Sequence, residues 1–131
     1  MKEFNWPVRV YYEDTDAGGV VFYANYLKFF ERARTEMLRS LGFEQDSLLA
    51  EQNVLFVVRS VKIDYLKPAR FNEMIEVSAK VIEYKKTNLT FEQTITRRQE
   101  VLCNGAIRIA CLDALSMKPK LIPIEILEHL T

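Results

Sequence analysis

Residues 23–41 read YANYLKFFERARTEMLRSL, and their period decides the fold. Tyr23, Leu27, Phe30, Met37 and Leu41 recur at helical steps, with Tyr26 and Ala33 alongside. Lys28, Glu31, Arg32, Glu36 and Arg39 take the other side, and Gly42 supplies a C-terminal stop. One long amphipathic helix is therefore expected near the start of the chain. Residues 43–52 add a short helical turn or two.

Working outward, the remaining pattern is β. PVRVYYE (7–13) alternates as a short strand before the helix. Behind it come LFVVRSVKIDYL (55–66), EMIEVSAKVIEY (73–84), TNLTFEQTITR (87–97) and VLCNGAIRIACLDAL (101–115), with Gly105 a candidate bulge. PIEILEHL (123–130) reads as a tail helix. A strand, a long helix and four successive strands make an α+β domain, its helix packed on one antiparallel sheet. No linker or repeat divides the chain, so residues 1–131 are expected to form one domain. Such a sheet has open edges, and homodimerisation across one of them is expected.

Eighteen basic and eighteen acidic residues cancel, so no overall field favours nucleic acid. No apolar run approaches the roughly 20 residues that span a bilayer, and the N-terminus lacks a secretory pattern. Cys103 and Cys111, eight residues apart in one strand, are beyond disulfide reach and read as reduced core thiols of a cytoplasmic protein.

The chemistry is sought in EDTDAGGVVFYANY (13–26), where Asp14 and Asp16 precede Gly18 and Gly19. A calcium loop starting at Asp14 would put Gly18 and Asn25 at ligand positions 5 and 12, and fails. Aspartate-nucleophile phosphoryl transfer needs a parallel sheet, which the element order contradicts. A serine or cysteine hydrolase lacks its base, because the single histidine is His129 in the tail. No His/Cys cluster has metal-ligand spacing. Carboxylate chemistry on an acyl carbon remains, with N–H groups at the helix start as oxyanion donors and the glycines admitting substrate. The competing reading is that both aspartates merely cap a turn.

VYYEDTDAGGVVFYANYLKFFERARTE (10–36), LFVVRSVKIDYLKPARFNEMIEV (55–77) and IACLDALSMKPKLIP (109–123) together resemble the 4-hydroxybenzoyl-CoA thioesterase class, closest to the YbgC type associated with the Tol–Pal system. The resemblance implies a hot-dog fold, in which a five-stranded antiparallel sheet wraps one long helix. It implies an acyl-CoA thioesterase assembled as a homodimer and expected to form a homotetramer. It makes Asp16 the catalytic carboxylate and the Tyr23 backbone N–H the group that polarises the thioester carbonyl. The pocket would lie at the dimer interface, with coenzyme A as part of the substrate and no separate cofactor or metal. Acyl carrier protein is a candidate partner, and peripheral membrane association stays open. So do two rivals: a non-catalytic acyl-binding module and a hot-dog dehydratase, the latter disfavoured by the missing histidine. One departure stands out: VVFYA (20–24) carries Tyr23 where the YbgC type commonly has histidine. A phenol with a pKa near 10 donates a hydrogen bond but is a poor base at neutral pH.

Further candidates are less specific. Tyr12 is assigned to pocket wall or core, and Asp14 to the turn. Glu31 and Arg34 are expected to pair with each other or across a dimer. Strict alternation puts Arg59 on the apolar face with Val57, Val61, Ile63 and Tyr65, unless a bulge turns it outwards. Lys62, Lys67 and Arg70, opposed locally only by Asp64, are candidate contacts for coenzyme phosphates.

Overall fold

A computed structural model describes residues 2–131. Strand β1 (Glu3–Arg9) is followed by a 3-10 turn at Tyr12–Asp14 and the long helix α1 (Asn25–Ser40). Helix α2 (Gln45–Gln52), strands β2 (Val54–Tyr65), β3 (Met74–Tyr84), β4 (Asn88–Arg97) and β5 (Glu100–Asp113), and helix α3 (Ile124–Leu130) complete the order. The strands form one five-stranded sheet in the order β1-β3-β4-β5-β2. Every pairing is antiparallel. This is the expected α+β arrangement of a long helix on one sheet.

The sheet closes on α1 because its inner residues are apolar at every second position. Ile75, Val77, Ala79 and Val81 of β3 are buried, as are Leu89, Phe91 and Ile95 of β4. From α1, Phe29, Phe30, Ala33 and Met37 meet them. Each large apolar side chain so buried contributes about 1.5–3 kcal/mol. The buried face of the helix is turned from the expected one: Tyr23 and Leu27 are exposed, whereas Phe29 and Leu38 are buried.

Three other local expectations change. The first strand ends at Arg9 rather than continuing to residue 13, because Tyr12–Asp14 curls into the 3-10 turn. Gly105 is no bulge: it pairs in register with Ile63 and Gln93. A Cβ there would come within 3.1 Å of Phe30 Cε2 and 3.2 Å of the Lys62 carbonyl, so glycine makes room for the helix. A bulge does lie in β2, where the register shifts between Val58 and Ser60. It turns Arg59 out into solvent, away from the apolar face. It also separates Val57 from Val61: Val57 pairs with Ala110, while Val61 pairs with the buried Ile107.

Both cysteines lie buried and unbridged in β5. Burial pushes the Cys103 thiol up to about 12 and raises that of Cys111, so both stay protonated and inert. No helix among the described residues is long and apolar enough to cross a membrane.

Candidate active site

The connection from β1 to α1 is held by its own short polar side chains. Asp14 is buried, and its Oδ2 accepts the Tyr11 N–H at 2.8 Å. Its carbonyl accepts the Phe22 N–H at 3.0 Å and Asn25 Nδ2 at 2.9 Å. Asp14 therefore ties the far side of the loop to the helix start, and the turn role expected for it agrees with this geometry.

Asp16 is placed differently. Its N–H donates to the Val20 carbonyl at 2.9 Å, and its own carbonyl accepts the Gly19 N–H at 3.0 Å. Its Oδ1 accepts the Gly18 N–H at 2.8 Å, which fixes the carboxylate on an exposed turn. No hydrogen bond among the described residues engages Oδ2. The two glycines serve separate ends. A Cβ on Gly18 would sit 3.2 Å from Asp16 Oδ1, and Gly19 has φ +77°, which other residues adopt only with strain.

The helix opens without a side-chain cap. Asn25 N–H donates to the Phe22 carbonyl at 2.8 Å, and Leu27 N–H to that of Ala24 at 3.2 Å. Just before them the amides of Tyr23 and Ala24 have no acceptor among the described residues. Helix-start amides carry partial positive charge, so this end favours an oxyanion.

Aromatic rings wall the cleft beside these amides. It measures about 260 Å³ and runs between Val21, Tyr23, Tyr26, Tyr65 and Pro68. The Tyr65 hydroxyl donates to the Tyr23 carbonyl at 3.0 Å, and the Tyr26 hydroxyl accepts the Ala69 N–H at 3.0 Å. Burial raises the pKa of both Tyr26 and Tyr65, so they remain neutral phenols. Neither was singled out from the sequence. Their place in strand and helix patterns gave no sign that they would meet across the fold.

The other candidates divide. Tyr12 is exposed and packs edge-on against Phe71 at 5.8 Å, so it is no core residue. Lys67 reaches the cleft, but its Nζ is paired with Glu100 Oε2 at 2.8 Å. Arg70 follows Ala69 on the exposed loop, its N–H donating to Glu73 Oε1 at 2.6 Å. Lys62 lies apart, in a shallow depression with Glu92, Thr94 and Asn104 on the outer sheet face. Lys62, Lys67 and Arg70 are thus no single cationic cluster. Glu73 and Glu100 also oppose that region, and Arg97 bonds both, at 2.8 and 2.6 Å. Arg34 does not pair with Glu31: it is buried, and its Nη1 donates to Gln93 Oε1 at 2.8 Å. Gln93 occupies an inward position between Phe91 and Ile95, and that break in the apolar alternation was its signal.

Residues 18–104, which include the glycine turn, α1 and most of the sheet, match the thioesterase superfamily. The chain belongs to that family. The acyl-CoA thioester hydrolase YbgC of Escherichia coli is 50% identical over 121 residues, covering 92% of this chain and 90% of that protein. The acyl-CoA thioesterase YbgC of Haemophilus influenzae is 49% identical over 123 residues, covering 94% and 90%. A probable thioesterase from Bartonella henselae superposes with a TM-score of 0.89 at 31% identity, over 93% of this chain and all of that one. The kinship with the YbgC type holds, the fold is the hot-dog, and the thioesterase is an enzyme.

Proposed function

We propose that this thioesterase hydrolyses acyl-CoA thioesters at the start of α1, with Asp16 as the reacting carboxylate. The observation that carries the reading is the paired placement of Asp16 and the helix start. One carboxylate oxygen is held by Gly18 N–H, the other is uncommitted, and unpartnered amides follow at Tyr23 and Ala24. The thioester carbonyl oxygen accepts those amides, which stabilise the negative charge that develops on it. Asp16 Oδ2 either attacks the carbonyl carbon or takes a proton from the water that does. The C–S bond breaks, the thiolate of coenzyme A leaves and is protonated, and water supplies the second oxygen of the free acid. Tyr23 contributes its backbone here. Its exposed ring lies against Phe22 at 4.8 Å and lines the cleft as a wall.

Support for a homodimer comes from β2. It is an edge strand whose inner face leaves Val58, Val61 and Tyr65 exposed, and a second copy paired along it would enclose that apolar strip as one wall of a slot between the protomers. The coenzyme arm then runs out past Arg70, since Lys67 is neutralised by Glu100.

Asp16→Asn tests the mechanism, because it keeps the shape and removes the charge. Thiol release from a panel of acyl-CoAs is expected to fall by about 10²–10⁴ in kcat. Release at near wild-type rate would rule out Asp16 as the reacting group. Tight acyl-CoA binding by the wild-type protein with no turnover across the panel would favour a binding module instead.

A further inference from the structure

Arg34 is the one basic residue among the buried polar side chains of the described residues, at 8% exposure. It donates to the neutral amide of Gln93, whose Nε2 in turn donates to the carbonyls of Phe30 at 3.0 Å and Ser78 at 3.2 Å. Among the described residues no carboxylate lies within ion-pair distance of the guanidinium. Burial lowers its pKa to about 10, with Glu31 acting in the other direction, so it is still charged at neutral pH. None of its nitrogens is both fully buried and unpartnered, so the donors left over from the Gln93 bond reach open space. Of the five N–H donors of a guanidinium, one is used.

Arg34 also lines a cavity of about 250 Å³, whose apolar surface includes Val58, Leu89, Phe91 and Ile109. Glu31 is on the same wall. This cavity lies along α1 from the cleft at Tyr23. From Asn25, where α1 begins just after Tyr23, to Arg34 is nine residues, about 14 Å of helix, the reach of an extended chain of about twelve carbons. Beside that path the inner face of β2 presents Tyr65, Val61 and Val58, exposed by 44%, 40% and 51%. An apolar strip thus runs from the proposed reaction centre to the buried arginine.

We propose that this cavity receives the far end of the acyl chain, and that Arg34 makes it a site for an oxygen carried there, a hydroxyl or a carboxylate, in place of a methyl group. The inference rests on the acyl-CoA reading above and adds the substrate class. A terminal hydroxyl fits best: it accepts from Arg34 and donates to Glu31. A terminal carboxylate would use Arg34 alone and meet the opposing charge of Glu31.

The test uses thioethers, which bind without turnover. S-dodecyl-coenzyme A, S-(12-hydroxydodecyl)-coenzyme A and S-(11-carboxyundecyl)-coenzyme A are titrated calorimetrically into the full chain. The hydroxyl form is expected to bind about tenfold more tightly than the plain dodecyl form. Tighter binding of the carboxyl form instead also supports a distal-oxygen site and identifies the anion as its ligand. Arg34→Met should erase the difference between the hydroxyl and plain forms, and Arg34→Lys should give an intermediate ratio. Equal or weaker binding of both oxygenated thioethers to the wild-type chain overturns the proposal, whether or not the variants fold. Plain dodecyl binding then leaves the acyl-CoA reading standing, whereas binding of none of the three removes both.

Discussion

At its C-terminal end α1 runs into a left-handed glycine: Phe43 N–H donates to the Leu38 carbonyl at 2.9 Å, and Gly42 N–H to that of Arg39 at 3.0 Å. That pair of bonds is a Schellman closure, which satisfies carbonyls the helix would otherwise leave open. At the N-terminal end no side chain caps the helix, and the Tyr23 and Ala24 amides find no acceptor among the described residues. The same helix is closed where it anchors the fold and left open just after the Asp16 turn. Damage to the closed half should therefore be read as lost stability, and damage to the open end as lost rate.

The largest effect is expected from Gln93→Leu, which takes away the one hydrogen bond of the buried Arg34. Urea unfolding should give a loss of about 3 kcal/mol with little change in turnover. A loss below about 1 kcal/mol would show that the guanidinium is held by something else. Next comes Gly18→Ala, whose Cβ would press on Asp16 Oδ1. Turnover should fall about tenfold or more while the melting temperature hardly moves. Its counterpart is Gly42→Ala, where φ is +94° and space is open, so only backbone strain is felt. It should lose about 1 kcal/mol of stability and keep its kcat/KM. Equal rate losses in these two variants would break the contrast between the ends. The smallest change is expected from Tyr65→Phe, which releases the Tyr23 carbonyl from its hydroxyl donor. A shift in kcat of about twofold with under 1 kcal/mol of stability lost would sharpen the view that Tyr65 steadies the open end.

Most of the fold was legible because it is written in local periods. Ile75, Val77, Ala79 and Val81 alternate, so β3 could be read directly, and β4 followed from Leu89, Phe91 and Ile95. The first strand was harder, since Val10, Tyr11 and Tyr12 prolong an apolar pattern into a segment that folds as a turn. Arg59 was recognisable as an anomaly, and the bulge resolves it. The site was legible only in part. The Asp16, Gly18 and Gly19 turn is contiguous in sequence, whereas Tyr65 comes to Tyr23 from across the chain. The basic residues misled for the same reason: Glu100, which pairs with Lys67, lies thirty-three positions away and carries no local sign. Arg34 and Gln93, fifty-nine positions apart, are likewise joined only by folding.

Gly105 and Phe30 have one more consequence. The ring of Phe30 occupies the space where a side chain on the middle of β5 would stand. The two positions therefore work like a key and its slot. A larger residue at 105 would lift the helix from the sheet, and since α1 begins just after the open amides and carries Arg34 about two and a half turns along, both ends of the substrate path would shift together. The absence of one methyl group on a strand thereby sets the height of the floor beneath the whole acyl chain.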